Sequence, residues 1–502
     1  MDNLVNVCSK ENDSIKSLAK TMATVECNID SSSKGGVGKL LSISSKVTYA
    51  RVEKAGDTHK IFATLNCKVI FLNKDGAIES YDYLSDFNTN VDIVSCEDIS
   101  FMWAMSGVMD IDSSVKGDVI CIQAVIDMEV VGLVKSSCNC VCDVEDNILV
   151  KYDKKLVQQN TNVRDTFMVE DDYESGCNIE KILYFDSDVM LSNTKAYEDK
   201  IVASGDVSSI VVYLSEGVVT SKVFNIPFTE EISLKGVAES DKLVLSSRVV
   251  ASKVILSGTT GENILSCQVE VAIMGFSVKE ECVNVIEDLH SPCNQIDINY
   301  CSMPYTRFVE QKLFQDKITG SANLDEELPP ASKILSTIIS RQIIANTYRD
   351  KDMLNIEGIL SCNVIYTDCD DSIHSVLVEL PYSLQYNDDS ECIDCEYLSN
   401  IMVSQLYSKI KRDREIEVTA MINISISKLV ADNMKAVSNY SLGDKIERVN
   451  HAVSIYQTSD GETLWNIAKA MNAPIEELVV LNEGLKDIAH GQKVIYYRRL
   501  QD

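Results

Sequence analysis

A glycine-rich segment near the N-terminus has residues that could hold a phosphate. Lys34 to Lys39 read KGGVGK, and in phosphate-binding loops the glycine amides surround the phosphates while a lysine neutralises their charge. Such a loop continues with a Ser or Thr that holds magnesium, whereas Leu40 and Leu41 follow here. The preceding CNIDSSS is also polar, where an apolar strand would be needed. We therefore expect a flexible linker and no nucleotide cofactor.

Two cysteine-rich motifs could supply thiolate ligands to a metal. They are CNCVC, from Cys138 to Cys142, and CIDC, from Cys392 to Cys395. A closed zinc site needs four ligands arranged tetrahedrally, and no second pair of cysteines has the spacing of a zinc finger. The motifs are interpreted as incidental strand and loop thiols, so the sequence predicts no metal site.

Histidines and acidic runs could do acid–base chemistry. The histidines form no His-x-x-x-His pair and stand near no Gly-x-Ser-x-Gly motif, which argues against a metal centre and a nucleophile–base pair. They are His59, His290, His374, His451 and His490. The acidic runs EDDYE, from Glu170, and NLDEE, from Asn323, are expected to be solvated loops. The sequence thus predicts no catalytic residue, and a protein that is not an enzyme.

Composition limits the partners and the compartment. The 502 residues carry a formal net charge of −30, which argues against nucleic acid and anionic lipid because phosphates are bound by clustered Lys and Arg. No segment has the apolar length of a signal peptide or a membrane span. The 17 cysteines, an odd number, favour reduced thiols. We expect a soluble cytosolic protein of three or four domains.

Three long stretches, beginning at Ile61, Ile201 and Leu354, repeat one pattern of strand, turn and strand. Each places a small residue eight positions before an aromatic one, and a serine seven positions before another aromatic one. The first spacing joins Ala63 to Phe71, Gly205 to Tyr213 and Gly358 to Tyr366, and the second joins Ser80 to Phe87, Ser221 to Phe228 and Ser375 to Tyr382. Further matched strands begin at Val125, Val269 and Met421. A period of about 140 to 155 residues indicates tandem domains, because solenoid repeats are much shorter.

The alternation of apolar and polar residues in these strands predicts a mostly β protein with β-sandwich-like repeats. The predicted order is an N-terminal segment, three repeats and a small C-terminal module, over residues 1–38, 39–150, 179–280, 333–430 and 451–502. Polar, acidic linkers are expected at 151–178, 283–330 and 431–450.

The C-terminal module is predicted to be a β-α-α-β unit. Thr463 can cap a first helix in which Leu464, Ile467, Ala468 and Met471 recur at helical spacing. Pro474 suits the first turn of a second helix, which Asn482-Glu483-Gly484 closes. Strands are expected at 453–458 and 493–497, one on each side of the helix pair.

The module resembles the LysM family. The resemblance rests on Tyr456, the turn Gly461-Glu462-Thr463-Leu464-Trp465, Ile467-Ala468, Leu478, Leu481-Asn482 and Gly491. It departs from the family at Glu462, where an Asp is usual, and at Tyr496-Tyr497, where Ile-Pro is usual. LysM modules generally bind N-acetylglucosamine polymers such as peptidoglycan or chitin, mostly through backbone groups in a shallow groove.

The repeats resemble the SPOCS domain. NIEKIL at Asn178 and PPASKIL at Pro329 are similar to that domain's Pro-Asp-Ile-x-Lys-Ile-Leu entry motif. The first repeat is divergent, with Asp86 where the others have Pro227 and Pro381. SPOCS repeats followed by LysM are similar to the SipL family of clostridial spore-coat morphogenetic proteins, functional counterparts of stage VI sporulation protein D.

The resemblance implies a structural adaptor of spore coat assembly in the mother-cell cytoplasm, at the forespore surface. Its LysM domain would bind stage IV sporulation protein A, the ATPase that polymerises as the coat's basement layer, and its repeats would support assembly with other coat proteins. The alternative is a peptidoglycan-binding protein of the cortex or cell wall. A hydrolase targeted by LysM would need a catalytic domain that the sequence does not indicate.

Within the module, Trp465 is the predicted partner-binding anchor. So small a module covers few apolar side chains, so part of the indole ring is expected to stay accessible. Val453, Asn466, Lys469 and Met471 are predicted to border it. Leu464, Ile467 and Leu478 are expected in the core, and the alternative that Trp465 only packs the module remains open.

Overall fold

The fold is described from a computed structural model. It covers residues 6–497 except 57, 94–97, 146, 260–261, 389–394, 447–452, 483–484, 486–487 and 489. The described residues are 80% strand and 4% helix, and the two α-helices among them lie near the C-terminus. The predicted mostly β fold class is therefore confirmed.

The strands are β1 Asn6–Asp30, β2 Lys39–Ala55, β3 Thr58–Leu72, β4 Ile78–Val91, β5 Asp98–Lys116, β6 Val119–Asp143, β7 Leu149–Glu174, β8 Lys181–Tyr197, β9 Lys200–Ser215, β10 Val218–Ser233, β11 Lys242–Thr259, β12 Glu262–His290, β13 Asn294–Asn323, β14 Lys333–Asp350, β15 Met353–Thr367, β16 Ile373–Asn387, β17 Cys395–Arg412, β18 Glu415–Lys445, β19 Val453–Gln457 and β20 Lys493–Tyr497. The helices are α1 Leu464–Met471 and α2 Ile475–Leu481.

Strands β1 to β18 form three repeats of six strands with one topology. In the first repeat, β2, β3 and β4 form one antiparallel sheet, and β1, β6 and β5 form another with β6 in the centre. The orders β8-β9-β10 with β7-β12-β11, and β14-β15-β16 with β13-β18-β17, repeat this arrangement. Each repeat thus begins and ends in the same sheet, because its first strand pairs with its last.

Each repeat has a core between its two sheets, as expected of a sandwich. In the first repeat, Leu65 and Phe71 of β3 and Ile126 of β6 belong to one buried cluster. Along β3, side chains alternate between buried and half-buried until both faces become covered near Val69. This period of two is the alternation expected of a strand with one face in a core.

The two spacings found in the sequence correspond to one cross-strand contact in each repeat. Ala63 lies opposite Phe87, Gly205 opposite Phe228 and Gly358 opposite Tyr382 in the β3–β4, β9–β10 and β15–β16 pairs. A Cβ atom at Gly358 would lie 2.2 Å from the Tyr382 hydroxyl and 2.1 Å from the Ile343 carbonyl oxygen. The small residue therefore makes room for the aromatic ring opposite, and the predicted hairpins are confirmed.

The predicted linkers are wrong. Most of 151–178 lies in β7, most of 283–330 in β12 and β13, and 431–445 in β18. The ranges 39–150, 179–280 and 333–430 therefore omit the first strand of each repeat, and the N-terminal segment 1–38 contains β1. These strands are polar and acidic on one face, as in β7, where Val163 and Val169 are buried between exposed neighbours. The acidic run from Glu170 belongs to β7, whereas 324–332 is irregular, as expected.

KGGVGK is not a flexible linker. It makes a tight turn between β1 and β2, with the Gly35 amide bonded to the Ser32 carbonyl and Gly35 at φ +88°. Lys39 begins β2, and its ammonium lies 2.8 Å from Nδ1 of His374. A strand therefore follows the glycines, where a phosphate-binding loop would lead into a helix.

The repeats pack on one another with approximate threefold symmetry. Ile70, Val212 and Ile365, from the central strands β3, β9 and β15, share one buried cluster. A second cluster joins the central strands β6, β12 and β18. A cavity of about 1440 Å³ between the repeats is lined by all three. Equivalent strands of the three repeats thus meet in two shared cores.

Charged pairs also cross the repeat boundaries. Lys68 of the first repeat lies 3.4 Å from Asp186 of the second, and Arg341 of the third lies 2.7 Å from Asp110 of the first. Because the lysine side chain is nearly buried, its pairing with the carboxylate offsets the cost of removing the ammonium from water. In the part of the chain that the structure describes, neither helix has the length and hydropathy needed to cross a bilayer.

Candidate functional site

The C-terminal module has the predicted β-α-α-β order. Strands β19 and β20 pair antiparallel, and Val453 lies opposite Tyr497. The Thr463 side chain accepts a hydrogen bond from the Asn466 amide at 3.3 Å, as an N-cap does. Asn472 ends α1 in the left-handed conformation that often closes helices. Local sequence signals therefore position α1.

Glu462, which replaces the usual aspartate, fixes the turn before α1. It accepts a hydrogen bond of 2.5 Å from the Tyr456 hydroxyl and one of 2.8 Å from the Ser459 amide. The hydrogen bond to Tyr456 and that to the Ser459 amide lower the pKa of Glu462 below its ordinary value. At the other end of the module, Asn482 bonds both the amide and the carbonyl of Ile495. The turn and the end of α2 are therefore both tied to strands.

The module packs on the second repeat through one aspartate. The Trp465 indole nitrogen donates a hydrogen bond of 2.7 Å to Oδ2 of Asp288 in β12. The Lys469 ammonium lies one helical turn further on and donates to both oxygens of the same carboxylate, at 3.0 and 2.8 Å. The Tyr300 hydroxyl donates to Oδ1 at 3.0 Å. We call Asp288, Trp465, Lys469 and Tyr300 the Asp288 clasp.

Local backbone geometry aims Asp288 at the module. The β7–β12 register shifts between Ile286 and Asp288, near the end of β12. Such irregularities add a residue to one strand and redirect its side chains. The His290 ring lies edge-on to the Trp465 ring, with centroids 6.5 Å apart. The end of β12 thus offers an acceptor and an aromatic contact to α1.

Burial and the contacts of the clasp shift the pKa values of Asp288, Tyr300 and the adjacent His290. Burial alone would raise the pKa of Asp288, but the hydrogen bonds from Lys469 and Trp465 outweigh it and the pKa is lowered. Burial, aided by Lys469, lowers the pKa of His290. Burial and the bond to Asp288 raise the pKa of Tyr300 to about 12. At neutral pH Asp288 is therefore a carboxylate, and the imidazole of the adjacent His290 is neutral.

The structure corrects part of the predicted binding surface. Trp465 is only 6% exposed, so the prediction of an accessible ring is wrong: the second repeat covers it. Met471 belongs to the module core with Ile467 and Leu478 and does not border a surface. Trp465 and Lys469 come together on the aspartate, whereas Asn466 stays exposed. The predicted role of these residues in binding a partner stays a prediction.

An exposed apolar face lies on the other side of the hairpin. Val453 is 47% exposed, Ile455 64% and Tyr497 49%. Val453 and Ile455 are two apart on one strand, and Tyr497 is the cross-strand partner of Val453, so all three project to the same side. We call these three residues the outer hairpin face. The sequence prediction included only Val453 of them.

Ile455 and Tyr497 of the outer hairpin face, and Asp288 of the clasp, were not predicted from the sequence, for different reasons. Ile455 and Tyr497 alternate with core residues, and this period of two could have identified them. Asp288 and Trp465 are 177 positions apart, and no local pattern joins them.

The cysteine and histidine predictions need one correction. The structure joins Cys8 to Cys142 and Cys138 to Cys301 as disulfides, so the expectation of reduced thiols is wrong for these four. Strand register brings CNCVC against Cys8, which no sequence spacing reveals. Cys395 begins β17, whereas Cys392 and His451 lie outside the described residues.

Comparison with known proteins identifies two domains. Residues 178–257 match the family model described as SipL, SPOCS domain, and residues 456–495 match the LysM domain. No curated protein and no solved structure matches the chain. The matches confirm the resemblance to SipL-like proteins. The two domains fit a protein that is associated with sporulation or that binds the cell wall or peptidoglycan.

Proposed function

We propose that this chain, with its SipL-type SPOCS domain and its LysM domain, is a non-enzymatic adaptor of spore coat assembly. Its LysM domain binds the basement-layer ATPase, a relative of stage IV sporulation protein A, and its repeats carry other coat proteins. It acts in the mother-cell cytoplasm, at the forespore surface. The proposal rests on the family resemblance together with the surface that the LysM domain leaves open.

The observation that carries the proposal is the outer hairpin face. Val453, Ile455 and Tyr497 expose apolar side chains at neighbouring positions of one hairpin face, whereas the other exposed apolar side chains of the module, Val479, Val480 and Leu481, lie on α2. Clustered exposed apolar side chains are typical of surfaces that bind another macromolecule. A polymer of the basement-layer ATPase would cover this face.

The Asp288 clasp supports the same function. It fixes α1 on the second repeat, so a partner on the outer hairpin face is joined to the three-repeat body with a defined orientation. An adaptor gains from such rigidity, because less conformational freedom is lost when both ends are occupied.

A second candidate function is binding of peptidoglycan. The match of residues 456–495 to LysM favours it, since that family generally reads N-acetylglucosamine polymers through backbone groups. This ligand would occupy the shallow groove and would not need the apolar side chains of the outer hairpin face.

The test uses the full chain and two matched variants. Ile455→Glu should lower affinity for the basement-layer ATPase about thirtyfold or more, as loss of a hot spot does. Leu377→Glu, at a 50% exposed strand position of the third repeat, should leave the affinity unchanged. Co-sedimentation with insoluble peptidoglycan is measured in parallel.

Two outcomes would contradict the proposal. Equal ATPase binding by the wild type and Ile455→Glu would exclude the outer hairpin face. Sedimentation of the wild type with peptidoglycan, without ATPase binding, would favour the second function instead.

A further inference from the structure

Five cysteines gather at one end of the long central sheets. Cys138, Cys140 and Cys142 follow one another at alternate positions of β6, Cys8 comes from the paired strand β1, and Cys301 comes from β13 of the third repeat. Four of them form the pairs Cys8–Cys142 and Cys138–Cys301. Cys140 is the fifth, a free thiol that is only 1% exposed.

The strand register places the free thiol beside one disulfide. Cys8 is the direct cross-strand partner of Cys140, and their sulfur atoms are 4.0 Å apart. The β1–β6 register shifts between Asn6 and Val7, and this shift leaves Cys142 without a direct partner in the ladder. Cys8 can thus reach two sulfurs, one buried and one exposed.

We propose that these residues form a thiol–disulfide exchange site that presents Cys142 to a disulfide of another polypeptide. The Cys140 thiolate, having lost its proton to solvent, attacks Sγ of Cys8. A Cys8–Cys140 bond forms, the Cys8–Cys142 bond breaks, and Cys142 leaves as a thiolate. The exchange conserves the number of disulfides and needs no oxidant or reductant.

Strand geometry permits both the starting bond and the product. The Cα atoms of Cys8 and Cys142 are 5.8 Å apart. Direct partners in an antiparallel ladder have Cα atoms about 4.5–5.5 Å apart, which lies within the range that disulfides span. The Cys8–Cys140 bond can therefore form without separating the strands.

The exchange moves a reactive group from the core to the surface. Cys140 packs in a buried cluster with Met303 and Met434, whereas Cys142 is exposed at the end of β6. The released Cys142 thiolate can attack a disulfide of a second polypeptide. A mixed disulfide then forms, and one sulfur of that polypeptide leaves as a thiolate. The site would join this chain covalently to a neighbour.

Burial of Cys140 slows the exchange. It raises the pKa of the Cys140 thiol, with a smaller opposing effect of Lys10. Because the thiolate is the attacking species, a largely protonated Cys140 exchanges slowly. Cys138–Cys301 ties β6 to the third repeat and keeps the cluster assembled meanwhile.

The test follows the alkylation of Cys142 in the full chain. The protein is purified without reductant and exposed to N-ethylmaleimide in its folded state, and each cysteine peptide is then quantified by mass spectrometry. Cys142 should become labelled progressively in the wild type, and about tenfold or more slowly in Cys140→Ser. Cys27→Ser, which removes another buried free thiol, should label as the wild type does.

Exposed Cys282 and Cys293 serve as internal references for labelling in every variant. Cys140→Ala, which keeps the site apolar, repeats the test if the serine variant does not fold, as judged by circular dichroism. Equal labelling of Cys142 with and without Cys140 would overturn the proposal. So would immediate labelling of both Cys8 and Cys142 in the unreduced wild type, since the starting disulfide would then be absent.

Discussion

The indole nitrogen of Trp465 lies 2.7 Å from Oδ2 of Asp288, and this hydrogen bond joins positions 177 residues apart. It fastens the LysM domain to the last strand of the second repeat. The carboxylate also binds Lys469, so one side chain holds two successive turns of α1.

Asp288→Asn should loosen the LysM domain from the body. The amide can still accept a hydrogen bond from Trp465, but it cannot form the ion pair with Lys469. Loss of a hydrogen bond to a charged group costs about 1.5–3 kcal/mol, which corresponds to roughly ten- to a hundredfold in the docking equilibrium. In a Trp103→Phe background the fluorescence of Trp465 reports docking, and its emission should shift to longer wavelength in the variant.

Glu287→Gln is the matched control for that experiment. Glu287 is the neighbouring residue, and it pairs with Lys151 at 2.9 Å near the surface, where ion pairs contribute little. In the Trp103→Phe background, the Trp465 emission of Glu287→Gln should equal that of the parent. If Asp288→Asn has the same emission as the parent, the clasp does not hold the module.

Acid should release the module in two steps. His290 has a lowered pKa while docked, so its contribution is complete above its ordinary pKa of 6.5 and is lost as the pH falls below that value. Asp288 also has a lowered pKa, so its contribution is complete above an ordinary carboxyl pKa of about 4 and is lost below it. In the Trp103→Phe background, the fluorescence of Trp465 measured between pH 8 and 3 should follow both steps.

His290→Gln should remove the step nearer neutrality and keep the more acidic one. The opposite result, undocking as the pH rises from 7 to 8, would contradict the assignment of both groups. Secondary structure by circular dichroism over the same range separates release from unfolding.

Undocking should leave affinity for the basement-layer ATPase unchanged, because the outer hairpin face is open in the docked state. Asp288→Asn and the wild type would then give the same dissociation constant by titration calorimetry. If Trp465 is itself the anchor, as the sequence analysis predicted, a partner must first displace the body. Asp288→Asn would then bind the ATPase more tightly than the wild type does, by the same factor by which the substitution weakens docking.

Gly358→Ala should destabilise the third repeat. The added Cβ would lie 2.1 Å from the Ile343 carbonyl oxygen, so a backbone or Tyr382 must shift. Overpacking of this kind costs about 1–3 kcal/mol in the free energy of unfolding. Gly107→Ala, whose Cβ would meet nothing within 4 Å, is the control. Urea denaturation followed by circular dichroism compares the midpoints.

Sequence could predict those parts of the fold whose signals are local. The spacing of Gly358 and Tyr382 reflects one cross-strand pair. It recurs because a small residue packs against an aromatic ring at the same place in each repeat. The first helix of the LysM domain follows from Thr463 and the turn at Gly461, which act within a few residues.

The missed elements depend on contacts distant in sequence. Strand β7 is polar and acidic because much of its surface faces water, so it looks like a linker until β12 pairs with it. The exposure of Trp465 was mispredicted because the module was considered alone, whereas Asp288 and His290 cover the ring. Exposure is a property of the whole assembly of domains.

Pairing of the first and last strands has a mechanical consequence. Asn6 pairs with Asp143, Leu149 with His290 and Asn294 with Lys445, so both ends of every repeat lie side by side. Tension applied at the two ends of a repeat would therefore pull the paired strands apart from one end of the ladder. Their hydrogen bonds would break one after another at low force, whereas shearing would load them all together. In the first repeat the Cys8–Cys142 bond lies at that end of the ladder and would stop it from opening. Reduction of that bond would thus alter how far the repeat extends under load.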